Sequence, residues 1–389
     1  MSARPSRGPG WPSRTPTRPR SFQDPHDGAP PSNQGDTTVS TTGTESQTEA
    51  GPRPEHLSKT LAGEPVTFLE AISEALWEEM ERDERVFLMG EDIGVYGGAF
   101  KVTKGFLERF GERRVIDTPI SEGGFTGAAA GAAHMGLRPV VEMQFMDFIS
   151  PAYDVITNYI ATSLYRGAGP QPLVIRGPVG GGNRGGPFHS QNVEMAFFHT
   201  PGLKIVYPST AYDAKGLLKA AIRDDHPVIF EEHKGLYRAP YLREVLPDED
   251  YVVPLGKART VREGGDLTIV TYGMMVHRSA DAADTLSEED GVEAEIIDLR
   301  TLLPMDDDAV VESVKKTGKL LVVHEDTRTG GIAGEIAMRV SEKAFEWLDG
   351  PILRVTAIDA PVPYAGALED YFLPQKDDIV TAARYLARY

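Results

Sequence analysis

Between residues 66 and 84 the chain reads VTFLEAISEALWEEMERDE, with Phe68, Ile72, Leu76 and Met80 four residues apart. That period places them on one face of a helix. The next run, RVFLMGED, is continuously apolar and closed by acids, as expected of a strand buried on both faces. The alternation then recurs: strand RVIDT, a helix from Ser121, strand RPVVEMQF, helix AYDVITNYIATSLYR, strand PLVIR, a glycine-rich loop, strand LKIVYP, helix AYDAKGLLKAAIRD and strand PVIFEE. Strands and helices taking turns at this spacing predict a parallel sheet with helices on both faces, ending near residue 240.

A connector rich in Pro and acids, YLREVLPDEDYVVPLG, leads to a second alternation. It runs through strands DLTIVTYG, EAEIIDLR, KLLVVHED and RVTAID with helices between them. The fold expected is α/β with two doubly wound domains. The domains fall at 63–240 and 263–389, with a linker over 241–262 and a disordered tail over 1–62. The tail is rich in Pro, Ser, Thr and Gly and has few aliphatic side chains to offset its ordering entropy.

Bulk properties narrow the function. A net charge of −18 over 389 residues argues against nucleic acid and against a polybasic membrane surface. No apolar run reaches the roughly 18 residues of a membrane span. The absence of Cys removes disulfides, thiolate metal sites and Cys nucleophiles, and suits a reducing compartment. Before its first acid, Asp24, the chain carries Arg4, Arg7, Arg14, Arg18 and Arg20, a transit-peptide composition, but five prolines interrupt any amphipathic helix there. A cytoplasmic location is expected, with the mitochondrial matrix as the alternative.

The loop GPVGGGNRGG holds a literal G-x-G-x-x-G at Gly180, Gly182 and Gly185. It opens no clean helix, comes late in its domain and lacks the acid about 20 residues on that would grip a ribose. A mobile glycine loop is the more economical reading. His189, in FHSQ, stands on the far rim of that loop, where it faces either a substrate or plain solvent. In DTPISEGGFTGAAAGAAHMG, Ser121 is the candidate cap of a helix and Glu122 sits in its first turn. An acid in a first helical turn is favoured by the dipole, by roughly 0.3 to 1 kcal/mol. The lack of bulk at Gly123, Gly124, Gly127, Ala128 and Gly131 suggests instead that something flat packs closely there. The carboxyl end of a parallel strand is also where open α/β sheets bind ligands.

Six stretches in order, GEDIGVYGGAFKVTKGF, DTPISEGGFTGAAAGAA, FHSQ, TPGLKIVYPSTAYDAKGLLKAAIRDDHPVIFEEHKGLYR, DLRTLLPMD and VVHEDTRTGGIAGEI, closely resemble the β subunit of the decarboxylating dehydrogenase of 2-oxo acid dehydrogenase complexes. The resemblance runs from about residue 64 to the C-terminus. It implies a thiamine diphosphate enzyme of α2β2 type, whose β chain carries a pyrimidine-binding domain and a transketolase-type C-terminal domain. The reaction implied is oxidative decarboxylation of a 2-oxo acid, branched-chain or pyruvate, with transfer of the acyl group to the lipoyl group of the acyltransferase core.

By the same resemblance, Glu122 pairs with a ring nitrogen of the aminopyrimidine and drives the tautomer that deprotonates the thiazolium carbon. Glu91 lies on a water-filled passage between paired active sites. Ile120, Gln144 and Phe148 line the pyrimidine pocket, and His189 faces substrate and lipoyl group. Leu173, Val174, Ala221, Asp224 and His226 match positions that hold structural potassium. The chain has no Gly-Asp-Gly followed by Asn some thirty residues later, so magnesium and the diphosphate are expected on the α subunit. An acetoin dehydrogenase β subunit and a non-catalytic assembly subunit are the alternatives. A scaffold would need neither Glu122 nor His189.

Overall fold

The computed structural model describes residues 53–389. Most of the predicted tail lies outside the described residues, but its end belongs to the folded body. Glu55–Leu57 form a 3-10 turn, Leu57 is fully buried, and the Thr60 hydroxyl donates to Glu74. A leucine in the core offsets the entropy of ordering this short segment.

In chain order the helices are α1 (Phe68–Arg82), α2 (Phe106–Phe110), α3 (Glu122–His134), α4 (Glu194–Phe198), α5 (Ala211–Arg223), α6 (Met274–Asp290), α7 (Asp307–Thr317), α8 (Ala333–Ala344), α9 (Gly366–Phe372) and α10 (Lys376–Leu386). The strands are β1 (Val86–Gly90), β2 (Val115–Asp117), β3 (Arg138–Glu142), β4 (Val174–Val179), β5 (Lys204–Val206), β6 (Val228–His233), β7 (Arg259–Arg262), β8 (Leu267–Thr271), β9 (Ala294–Asp298), β10 (Thr301–Leu303), β11 (Leu320–Thr327) and β12 (Leu353–Ala357). They form two sheets, ordered β10-β5-β6-β4-β3-β1-β2 and β12-β11-β8-β9-β7. Pairing is parallel except at the edges β10 and β7.

Thr67 starts α1 through a capping box with Glu70, which satisfies two otherwise unpaired N–H groups. Its apolar face is buried, and Trp77 meets Phe106 edge-on at 5.1 Å. The other face matches α5 by charge. Lys215, Lys219 and Arg223, four residues apart, reach Glu74, Glu78 and Glu79 at 3.1, 2.6 and 2.6 Å.

Three sequence readings change. The segment expected as helix AYDVITNYIATSLYR, residues 152–166, instead holds a π turn, Val155–Ile160, shortly after a 3-10 turn, Met146–Ala152. Pro151 stands in the 3-10 turn just before it, and the hydroxyls of Thr157 and Thr162 donate to the carbonyls four residues back, at 2.9 and 2.7 Å. β-branched residues and such back-bonding both disfavour a regular α-helix. The predicted linker ends in β7, whose exposed RTVR gives no alternation signal but pairs with β9. Finally, β10 leaves the second α/β unit to pair with β5 of the first sheet, held by Arg300 donating to Asp213 at 2.9 Å.

Candidate functional site

Strand β1 has β2 on one side and β3 on the other. Because the chain leaves β1 in one direction and returns to its opposite flank, a crevice opens at the carboxyl ends of β1 and β3. Glu91 and Asp92 follow β1, Gln144 and Phe145 follow β3, and Glu122 begins α3. Gln144 donates to Asp92 across this crevice at 3.3 Å.

Glu91 is buried, and its Oε1 has no hydrogen-bond partner among the described residues. Burial pushes its carboxyl above the ordinary range, and the negative charges of Glu122 and Asp92 push it further. The Thr118 hydroxyl is also buried without a partner among them. Ser121 makes no side-chain cap for α3. Ile120, just before it, is 84% exposed. Buried polar atoms without partners and a bare apolar side chain, gathered round a half-buried carboxylate, fit a flat heterocycle with a basic ring nitrogen.

Part of the glycine pattern of α3 has another cause. A Cβ on Gly123 would lie 2.8 Å from the Pro151 carbonyl, and one on Gly127 would reach Val155. Gly123 makes room for the chain's own segment over 146–160, Gly127 lies at ordinary contact distance from it, and Gly131 faces open space.

That segment also carries Phe148 to His189. The His189 ring stands edge-on between Phe145 and Phe148, with centroids 4.7 and 5.6 Å away. Asp147 Oδ1 accepts the N–H groups of Ser190 and Gln191 at 3.1 and 3.0 Å. The packing of α3 and the placement of His189 thus run through one short stretch. Phe145 and Asp147 escaped the sequence reading, although they flank Phe148 in FMDF. Beside His189 opens a cavity of about 590 Å³ that Lys234 and Arg238 also line.

The glycine-rich loop is held, which corrects the mobile-loop reading and also ties up the amides that a phosphate would need. The Gly181 N–H donates to Glu325 at 2.6 Å, and those of Gly182 and Arg184 donate to Glu369 at 2.9 and 3.1 Å. Both acids come from the second α/β unit. Burial raises a carboxyl, yet at Glu325 it is outweighed by His233 and the Gly181 amide, which hold the group down at about 2.

Leu173, Val174, Ala221, Asp224 and His226, expected around potassium, lie on neighbouring segments. The Asp224 carboxylate pairs with Lys204 and accepts from the His226 N–H at 2.8 Å. The carbonyls of Ile222 and Asp224 accept from Arg138 at 3.0 and 2.9 Å.

Comparison with known proteins agrees with this architecture. Residues 64–240 match the family described as transketolase, pyrimidine binding domain, and residues 256–379 match transketolase, C-terminal domain. The chain is 49% identical to the 2-oxoisovalerate dehydrogenase subunit beta of Bacillus subtilis (strain 168), covering 83% of this chain and 99% of that protein. It is 44% identical to the pyruvate dehydrogenase E1 component subunit beta of the same organism, over 83% and 99%. The mitochondrial pyruvate dehydrogenase E1 component subunit beta-2 of Oryza sativa subsp. japonica is 48% identical, over 83% and 86%. A solved structure, the split gene transketolase, inactive beta4 tetramer, superposes with a TM-score of 0.67 at 23% identity, over 83% of this chain and 98% of that one; this likeness concerns the fold alone.

Proposed function

Because the chain belongs to the E1 β subunits of 2-oxo acid dehydrogenases, we propose that it is the β half of a thiamine diphosphate enzyme that oxidatively decarboxylates a 2-oxo acid and passes the acyl group to a lipoyl group. The substrate is a branched-chain 2-oxo acid or pyruvate. The observation that carries this reading is the joining of Glu122, at an uncapped helix entrance beside buried Glu91, to His189 through the single segment that bears Phe148.

Thiamine diphosphate, when bound, supplies a nucleophilic carbon and takes up the electrons released with CO2. Glu122 accepts and returns a proton at the ring nitrogen of the pyrimidine. Glu91, whose carboxyl is pushed above the ordinary range by burial and by neighbouring charge, places a second carboxyl group in the same crevice. Phe148 and Ile120 supply apolar surface that keeps water from the ring. His189, fixed by its two aromatic neighbours, presents a ring nitrogen to the carbonyl oxygen of substrate and then to the acyl acceptor, the role of a general acid and base. The diphosphate and magnesium fall to an α subunit, since the chain lacks the Gly-Asp-Gly and Asn pattern, and activity requires that partner. The acyltransferase core with its lipoyl domain is the second partner.

The test is to co-express the chain with its α subunit and assay acylation of a lipoyl domain from 3-methyl-2-oxobutanoate, pyruvate and acetoin. Turnover of either oxo acid supports the reading. Turnover of acetoin alone moves the chain to the acetoin-cleaving class, and no turnover at all overturns the assignment.

A further inference from the structure

The cavity beside His189 is lined by Phe100, Phe145, His189, Lys234, Arg238 and Tyr241 among others, and includes no carboxylate. In a chain of net charge −18, a recess whose fixed charges are one lysine and one arginine is locally inverted in sign. Its volume, about 590 Å³, suits a small molecule.

Lys234 is the unusual member. It is 7% exposed, and its ammonium donates to the Gly180 carbonyl, with no ion-pair partner among the described residues. The other lysines buried to this degree, Lys215 and Lys219, each hold two carboxylates. Burying an ammonium without a paired anion is costly, so the missing anion is itself informative. Both Lys234 and His189 line the cavity and neighbour Phe145, the ammonium 5.8 Å and the His189 ring centroid 4.7 Å from its ring centroid. The lysine therefore addresses the same small space as the histidine. Arg238 is exposed at the rim, with one donor tied to the Phe100 carbonyl at 2.6 Å.

We propose that Lys234 binds the carboxylate of the 2-oxo acid in the cavity beside His189, with Arg238 drawing the anion in at the rim. The assignment rests on the reading of function above and names the group on this chain that recognises the acid. A carboxylate held here accepts a charge-assisted hydrogen bond from the ammonium, while the 2-oxo group is presented toward the His189 side of the cavity.

The experiment uses the holoenzyme reconstituted with its α subunit, thiamine diphosphate and magnesium. Michaelis constants are measured for two substrates with ferricyanide as electron acceptor. One is the oxo acid 3-methyl-2-oxobutanoate, and the other is 2-methylpropanal, the uncharged aldehyde that lacks the carboxylate. Lys234→Met should weaken apparent binding of the oxo acid about tenfold to a hundredfold, as a lost charge-assisted bond would, and change that of the aldehyde much less. Lys234→Arg should recover most of the loss. An unchanged Michaelis constant for the oxo acid, or equal losses on both substrates, overturns the proposal.

A second measurement needs no variant. Burial brings Lys234 down to about 8, against the charges of Asp147, Glu325 and Glu369. In the wild-type enzyme kcat/KM for the oxo acid should therefore fall by about tenfold per pH unit above this value, while the aldehyde profile stays flatter. Parallel profiles count against Lys234. A wild-type holoenzyme inactive on every 2-oxo acid overturns the reading of function instead.

Discussion

His233 Nε2 and Glu325 Oε2 lie 2.8 Å apart although 92 residues separate them in the chain. The pair joins the last residue of β6 to β11, and so fastens the first sheet to the second. Gly180 sits directly over it: a Cβ there would fall 2.3 Å from His233 Nε2, and the backbone is left-handed at φ +84°.

Gly180→Ala should consequently cost about 2 to 4 kcal/mol, combining a strained backbone with an overpacked contact. Thermal or urea unfolding measures this directly. Gly131→Ala, at a site with open space, should instead be neutral or stabilising. Equal effects at the two positions would show that the close approach at Gly180 is unimportant.

Stability should depend on pH through Glu325. Its carboxyl is held down at about 2, below the ordinary 4.5, so the folded state binds this proton more weakly than the unfolded chain. The contribution is complete above pH 4.5 and lost as pH falls toward 2, and a shift of this size corresponds to roughly 3 kcal/mol. Glu325→Gln should be strongly destabilised at pH 7 and approach wild type only as the pH nears 2. A gap that stays constant over this range would rule out the charge interaction as its source.

Glu122 and His189 should separate by reaction step. Glu122→Gln keeps the size of the side chain but cannot shuttle a proton, so hydrogen–deuterium exchange at the thiazolium carbon of the holoenzyme should slow by about a hundredfold or more. A helix-dipole role alone would cost at most about 1 kcal/mol of stability and almost no rate. His189→Ala should leave exchange near wild type and depress acylation of the lipoyl domain. Wild-type exchange in Glu122→Gln would return that residue to the role of a helix-end charge.

Removing residues 1–52 should leave assembly and activity unchanged. Removing 1–62 also deletes Leu57, which is fully buried, and should cost about 2 to 3 kcal/mol. Melting temperatures of the two truncated chains, each assembled with the α subunit, distinguish these cases. Equal melting temperatures would place Leu57 outside the core.

Calorimetry of the isolated chain with thiamine diphosphate and magnesium should give negligible heat, because the diphosphate half of the site is expected on the partner. Micromolar affinity from this chain alone would contradict the shared site.

The sequence by itself determined the elements whose burial repeats with a local period. Helix α1 announced itself through Phe68, Ile72, Leu76 and Met80, and the buried strands β1, β6 and β11 through apolar runs ended by charge. The lone acid at the start of α3 and the histidine beyond the glycine loop were legible as candidates, since an ionisable group among small residues stands out within a short window. The tertiary structure alone decided what those groups meet. That Gly123 yields to Pro151 and that β10 crosses to the first sheet could not be read from neighbours in sequence. Neither could the pairing of the Gly181 amide with Glu325, 144 residues away, or the burial of Lys234 without a carboxylate. Periodicity is a property of adjacent residues and survives in any context, whereas these pairings exist only after long loops close and the two sheets pack.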